Sequence, residues 1–392
     1  MNMEKIKLGI IGIGNMGSGH ANNIKSGHCP AVQLTAIADI DPDRLQWAKE
    51  QNYAENITYF DDAITMLDSG LIDSCLIAVP HYQHTVYAIE CMKRGIHVMV
   101  EKPAGVYTKQ VKEMNACAAE HPEVVFGMMF NQRTNCVYRK LRELVQSGKY
   151  GRIRRTNWII TDWYRSQIYY DSGNWRATWS GEGGGVLLNQ CPHQLDLWQW
   201  ICGMPKMVEA HLHFGKWHDI EVEDDVTAYV EYENGATGVF ITSTGDAHGT
   251  NRLEIQMDKA KFVVENNKLM MEEYEMSEPE FSKTNQEPFA TVKSEKREVE
   301  TDGENPQHIG VVNAWADAIL HGGKLVARGE EGLNGLTLSN AMHLSAFLKK
   351  PIELPFDDDL YVAELKKRVN TSRKKSGKAV FADTAGSYAG NS

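Results

Sequence analysis

Gly12-Ile13-Gly14-Asn15-Met16-Gly17 has the spacing G-x-G-x-x-G, and Asp39 stands 22 residues beyond the last glycine. An apolar run over 8–13 leads into the motif, and a helical pattern leaves it. In that setting each glycine has a task. Gly12 permits a tight turn, Gly14 lets the backbone approach a pyrophosphate, and Gly17 lets a helix pack closely on a strand. The N–H groups at the helix start carry the positive end of its dipole and suit an anion. Asp39, closing the second apolar run, can accept hydrogen bonds from adenosine ribose hydroxyls and would repel a 2′-phosphate. The pattern points to a dinucleotide, with NAD favoured over NADP. Arg44 is the reservation, since a nearby arginine can serve a 2′-phosphate.

These groups need a scaffold. Over the first 130 residues, short apolar runs at 7–13, 34–38, 74–79, 97–100 and 124–128 alternate with helical patterns at 16–25, 43–51, 62–67, 82–94 and 109–120. Strands alternating with helices imply parallel strands joined by crossovers. The expectation is an α/β, doubly wound Rossmann domain over 1–130. Carboxyl ends of strands in such a sheet face the ligand crevice. Lys102 follows the fifth run, so it stands at such an end. A lysine there can hydrogen-bond a substrate hydroxyl and stabilise alkoxide character.

The pattern then changes. A helix over 134–147 precedes an aromatic strand at 156–163, a Gly-rich turn at 181–185 and a helix over 189–201. Strand patterns follow at 206–214, 227–232, 236–242, 252–256 and 260–265, with Asn234-Gly235 as the clearest hairpin turn. Hairpin-linked strands imply an α+β domain with an open mixed or antiparallel sheet, over 131–375. The charged stretch 278–305 reads as a long excursion or a disordered loop. Helices resume at 308–321 and 336–349, and 376–392 form a small, polar C-terminal tail.

Composition narrows the function classes. Lys and Arg number 41 and Asp and Glu 52, so the formal charge is −11, which argues against a duplex-binding footprint. One basic cluster (Lys366, Lys367, Arg368, Arg373, Lys374, Lys375 and Lys378) reads either as an anion patch or as a helix end with favourable cations. The seven cysteines contain no C-x-x-C pair, and the histidines show no H-x-x-x-H, so neither a disulfide framework nor a metal site is expected. No apolar signal region opens the chain and no run is long enough for a membrane span. A cytoplasmic protein with no nucleic-acid or membrane partner is the expectation.

Three further motifs join the glycine pattern: Ala78-Val79-Pro80-His81-Tyr82-Gln83-His84, Glu101-Lys102-Pro103, and the run from Gly183 through Asn189 and His193 to Asp196. In combination, from about residue 5 to 354, the chain resembles the Gfo/Idh/MocA family, which includes glucose–fructose oxidoreductase and inositol dehydrogenases. The resemblance implies a nicotinamide in the cleft between a Rossmann domain and an open-sheet domain, with the sheet face making a homodimer or homotetramer. It implies catalytic roles for Lys102 and His193, the neutral imidazole taking the hydroxyl proton. It implies cofactor contacts at Pro80 and His84, and at Glu101, which either orients Lys102 or caps the next element. Pro103 resembles the family's proline, often cis. Asp196, three residues after His193, either orients the imidazole or makes a structural bond. Arg133, after Asn131, resembles an N-x-R element at the domain interface.

Asn189 departs from the family, where inositol dehydrogenases carry Asp. Helical spacing would put residues 189 and 193 on one face, but an amide holds no charge and no transferable proton. Substrate contacts are expected from Asn189, Tyr164, Arg165, Trp175 and Arg176, because sugars present C–H faces to aromatic rings and hydroxyls to polar groups. The functional expectation is NAD-dependent oxidation of a secondary hydroxyl on a sugar, glycoside or inositol-like polyol. The alternatives are a closed hydride cycle in a glycosidase or epimerase, oxidation at C3 of a glucoside, and a non-catalytic NAD-binding regulator.

Overall fold

The early apolar runs become one parallel sheet in the computed structural model, which describes residues 4–373. Its strands are β1 (Ile6–Ile11), β2 (Val32–Ala38), β3 (Thr58–Phe60), β4 (Ser74–Ile77), β5 (His97–Val100) and β6 (Phe126–Met128), in the order β3-β2-β1-β4-β5-β6. The order reverses between β1 and β4, which opens a crevice at their carboxyl ends. Helices cover both faces, so β4 is buried along its whole length. The short edge strand β3 is the one the sequence pattern did not single out.

The second sheet has nine strands: β7 (Ile153–Ile160), β8 (Met207–Phe214), β9 (Glu223–Glu231), β10 (Thr237–Ser243), β11 (Asn251–Met257), β12 (Ala260–Glu265), β13 (Lys268–Tyr274), β14 (Ser294–Glu298) and β15 (Ile352–Glu353). Their order is β14-β13-β12-β11-β7-β10-β9-β8-β15. β7 runs parallel to β10 and antiparallel to β11, so the sheet is mixed. Alternation along β9 and β10 buries one face under the helices Pro192–Cys202 and Gly332–Leu348. Trp198 stacks on Phe240 there, with ring centroids 5.4 Å apart, and its indole nitrogen donates to Thr156 Oγ1 at 3.0 Å. The opposite face leaves Ile159 and Tyr229 partly exposed.

The stretch 278–305 is ordered differently from the expected loop. It forms the helix Glu278–Thr284 and the edge strand β14. No residue of β14 is buried, so its hydrophobic pattern is silent; cross-strand pairs such as Arg297–Glu273 and Lys268–Glu298 hold it. The helix Asp358–Val369 also lacked a clear apolar signal. Asp357 caps its start, and Lys366, Lys367 and Arg368 occupy its last turn, where cations oppose the dipole favourably. Arg373 pairs with Asp219. Lys374, Lys375, Lys378 and the tail 376–392 lie outside the described residues.

The chain crosses back between the two sheets. The helix Gln307–His321 packs on the first one: Val311, Val312, Trp315 and Ala316 are buried with Ile6, Leu8 and Ile10. Elsewhere, one continuous apolar cluster joins both sheets. No helix among the described residues is long and apolar enough to cross a membrane. Trp315 is fully buried and donates its indole N–H to the Val125 carbonyl at 3.1 Å. Trp315→Ala should therefore destabilise the protein by about 3–5 kcal/mol. An unfolding midpoint in urea close to that of the parent protein would contradict this packing.

Candidate active site

The Gly-rich turn connects β1 to the helix Asn15–Lys25. Gly12 has φ +89°, and a Cβ there would strike the Ala78 carbonyl oxygen. A Cβ on Gly17 would strike the Gly12 carbonyl oxygen. Gly14 differs: nothing lies within 4 Å of the position its Cβ would take. That open side belongs to a cleft of about 680 Å³, lined also by Gly12, Asn15, Met16 and Asp39. No side chain caps the start of the helix. The turn is thus a cradle into which only glycine at position 14 leaves room for a pyrophosphate.

Asp39 shapes this cradle as well as lining it. Its carboxylate accepts from the Ile13 N–H at 2.8 Å and from the Asp41 N–H at 2.9 Å. Arg44 also lines the cleft, but its guanidinium donates to the Ile13 carbonyl at 2.5 Å and lies 4.1 Å from the Trp47 ring centroid. The reserved arginine is therefore engaged in holding the loop.

At the far end, Pro80, His81, His84, Glu101 and Lys102 line the same cleft. His84 bridges two strand ends, with Nδ1 2.6 Å from the Pro103 carbonyl and Nε2 2.7 Å from the Val79 carbonyl. Both ring nitrogens are thus already engaged. Burial lowers its pKa even though both carbonyls oppose that effect. The Lys102–Pro103 peptide is cis.

Glu101 does not pair with the Lys102 ammonium in a direct bond. Its carboxylate meets His20 Nε2 at 2.6 Å and accepts from the Lys102 backbone N–H at 3.2 Å. Burial opposes its ionisation, but the His20 hydrogen bond and the charges of His20, His308 and Lys102 prevail and hold its pKa at about 2. His308, from the helix Gln307–His321, lies edge-on to His20 with centroids 5.5 Å apart. Burial lowers the His308 pKa to about 4. The sequence reading missed His20 and His308. His20 falls on the helix leaving the glycine motif, three residues after Gly17, but its partner is 81 residues away.

Lys102 Nζ donates to the Asn189 carbonyl at 3.0 Å. Asn189 is not on the helix expected over 189–201. That helix starts at Pro192, whose ring cannot donate an N–H and suits a first turn. Residues 189 and 193 therefore do not share a helical face. Asn189 sits in the turn before it, with its N–H on the Gly185 carbonyl at 2.9 Å. Its Nδ2 donates to Glu182 Oε1, and Glu182 Oε2 accepts from the Ala177 N–H at 2.5 Å. Burial raises the Glu182 pKa, against the Arg176 charge and these two hydrogen bonds. Glu182 was another residue that sequence reasoning missed; it stands immediately before the glycine run.

His193 is buried and does not line the cleft wall. Neither ring nitrogen has a hydrogen-bond partner in the described protein. Burial, then the positive charges of Lys102 and His308, hold its pKa well below the ordinary histidine value, so the ring is neutral. Asp196 does not orient it. That carboxylate takes both Arg133 Nε and Nη2 at 2.7 Å, a bidentate pair buried at both partners. Arg133 also reaches Glu331 at 2.6 Å.

Trp175 and Arg176 line the cleft beside Tyr169, Ser172, Gly173 and Asn174. Arg176 lies 4.7 Å from the ring centroids of both Tyr169 and Trp175. Tyr164 and Arg165 do not line it. β7 ends at Ile160 and the chain turns away, leaving Tyr164 47% exposed and folding Arg165 over Trp163 and Tyr169.

Two family models match this chain. Residues 6–128 match the oxidoreductase family with NAD-binding Rossmann fold, and residues 138–263 match the GFO/IDH/MocA C-terminal domain. The D-glucoside 3-dehydrogenase of Escherichia coli is 30% identical over 258 residues, covering 60% of this chain and 69% of that protein. The myo-inositol 2-dehydrogenase of Thermotoga maritima is 25% identical over 269 residues, covering 67% and 75%. The WlbA dehydrogenase of Chromobacterium violaceum, solved with NADH and UDP-GlcNAcA, superposes with a TM-score of 0.78 at 26% identity, covering 91% of this chain and 98% of that one. The chain spans about half the length of several other curated relatives it matches.

The low Glu101 pKa has a consequence for stability. An ionised Glu101 favours the folded state fully above the ordinary value of 4.5, and this contribution disappears as pH falls through about 2. Urea unfolding of the parent and Glu101→Gln should differ most above about pH 5 and converge towards about pH 2. A difference that stayed constant across that range would show that the carboxylate charge is not what the cluster stabilises.

Proposed function

Because the chain belongs to the Gfo/Idh/MocA oxidoreductases, we propose that it oxidises a secondary hydroxyl of a sugar, glycoside or cyclic polyol with NAD. The observation that supports this reading is that one cleft is lined by the glycine cradle, Lys102, Asn189, Trp175 and Arg176 together. One end of the cleft suits a dinucleotide. The other presents a cation, an amide and an aromatic face, which suits a polyhydroxylated ring.

Gly12, Gly14, Asn15, Met16 and Gly17 would receive the pyrophosphate, and Asp39 the adenosine ribose hydroxyls. Pro80, His84 and Glu101 shape the opposite end around Lys102. NAD held there would supply the hydride acceptor for the carbinol carbon. The chain's own groups handle the proton. The Lys102 ammonium hydrogen-bonds the reacting hydroxyl and stabilises its alkoxide character. A neutral imidazole can accept a proton, and His193 is held neutral with both nitrogens unpartnered. Trp175 offers its ring to the C–H face of the sugar, and Arg176 donates to its hydroxyls. The substrates in the names of the glucoside and inositol dehydrogenases are of this chemical class.

The test follows NAD reduction and products together over a panel of inositols, free sugars and aryl glucosides. Net NADH with a matching ketone is the expected result. Substrate conversion without net NADH would instead identify a closed hydride cycle. Lys102→Ala should lower kcat by about 10²–10⁴-fold while NAD affinity, read by nicotinamide fluorescence, changes little. Near-normal turnover in that variant would remove Lys102 from the chemistry.

A further inference from the structure

Asn189 contributes two oxygen atoms and one amide nitrogen near the head of Lys102. The backbone oxygen is used: it accepts from Lys102 Nζ at 3.0 Å. The amide nitrogen is also used, on Glu182 Oε1. The side-chain Oδ1 remains, on a residue that lines the cleft and is only partly buried. An asparagine amide can turn over and exchange its donor and acceptor ends. What prevents that here is the chemistry of Glu182. Its two oxygens already accept, one from Asn189 and one from the Ala177 N–H. With both of its oxygens accepting, the carboxyl presents no hydrogen towards Asn189, so it is the amide nitrogen and not Oδ1 that faces it.

Glu182 is well placed to hold this arrangement. It is 2% exposed, and its own N–H donates to the Thr178 carbonyl at 2.9 Å. Ala177, its partner through Oε2, has φ +56° and follows directly on Trp175 and Arg176. The backbone oxygen of Glu182 meets His81 Nδ1 at 3.2 Å, and His81 packs edge-on to Trp175. One buried residue therefore touches the cleft's aromatic wall, through Ala177 and His81, and its lysine side, through Asn189.

We propose that Glu182 is a positioning residue that fixes the polarity of Asn189, so that Oδ1 faces the cleft as an acceptor for a substrate hydroxyl beside Lys102. This rests on the oxidoreductase reading above. The site then recognises a hydroxyl that donates to position 189. A donor at the same place, or a carboxylate forced against Glu182, would serve it worse.

The consequences for substitution are specific. Glu182→Gln keeps one oxygen for the Ala177 N–H and turns an –NH₂ towards residue 189. Asn189 must then present Oδ1 to that donor, and the cleft meets Nδ2 instead. Asn189→Asp sets a carboxylate against a carboxylate, and the two cannot both ionise comfortably at contact. In the double variant the amide introduced at position 182 donates its –NH₂ to one oxygen of the carboxylate introduced at position 189. The other carboxylate oxygen is left as an acceptor in the cleft.

The experiment measures kcat, KM and NAD affinity for the parent, E182Q, N189D and E182Q/N189D, using the hydroxylated substrate that the panel identifies. Each single variant should lose about 10–100-fold in kcat/KM, and the double variant should recover at least about tenfold over either one. NAD affinity should stay within about threefold throughout, because the dinucleotide cradle is untouched. Losses that multiply in the double variant would overturn the proposal. A second cycle guards against misfolding of N189D: Glu182→Gln should cost at least about tenfold with Asn189 present and less than about twofold in an Asn189→Ala background. Equal costs in both backgrounds would mean that Glu182 acts through the loop alone, and the proposal would fall. An inactive parent protein overturns the oxidoreductase reading and this inference with it. Loss of activity in Lys102→Ala together with independent effects in the two cycles overturns only the role of Glu182.

Discussion

The hydrogen bond from Lys102 to the Asn189 carbonyl joins two separately built halves. Lys102 comes from the end of β5 in the parallel sheet, and Asn189 from the turn that leads into the helix packed on the mixed sheet. A 3.0 Å contact between them demands that both sheets be held in register. One apolar cluster runs through both, and the helix Gln307–His321 returns from the end of the second sheet to cover the first. Neither half can shift by an ångström without changing what Lys102 faces. If Lys102 meets a substrate hydroxyl as proposed, such a shift matters more than a small loss of stability.

Buried charge supplies the finer alignment. Arg133 and Asp196 form a bidentate pair with both side chains 1% exposed. Removing either partner would strand a charge in an apolar setting, which typically costs about 3–5 kcal/mol. The pair ties the segment following β6 to the middle of the helix Pro192–Cys202, one turn after His193. Glu101 and His20 do the same within the first sheet, linking the end of β5 to the helix that leaves the glycine motif. The cofactor cradle and the lysine are thereby set by one carboxylate. Charges of this kind add little net stability against an apolar core, but they tolerate few alternative geometries.

The first sheet was readable because its signals are local. A glycine whose Cβ would strike a carbonyl oxygen leaves its mark at that position, and a strand buried on both faces announces itself as a run. Six strands of the second sheet were readable by the same alternation, whereas β13 and the two-residue β15 were not singled out, nor was β14, since every residue in it is exposed. Lys102, His193 and Asn189 were singled out through motifs, but their geometry was not legible there. The start of the helix Pro192–Cys202 depends on Pro192 and a turn, and periodicity could not separate Asn189 from the helix. The partnership of Asp196 could not be read either: the nearest imidazole in sequence loses to an arginine 63 residues away, which offers two parallel hydrogen bonds and a charge. His20 and Glu182 carry no motif at all. Their roles exist only through contacts that folding creates.

The amide at position 189 makes physical sense in this charge arrangement. Glu101 already supplies one buried anion within reach of Lys102, and Glu182 supplies a second carboxylate beyond Asn189. A third acid between them would compete for protons with Glu182, whose own ionisation burial already disfavours. An amide avoids that competition. It accepts from Lys102 with its backbone, donates to Glu182 with its nitrogen, and transmits orientation from one to the other without adding charge. The proton that leaves a substrate hydroxyl must then go elsewhere. In the function proposed above that acceptor is His193, which is held neutral and has no hydrogen bond within the described protein.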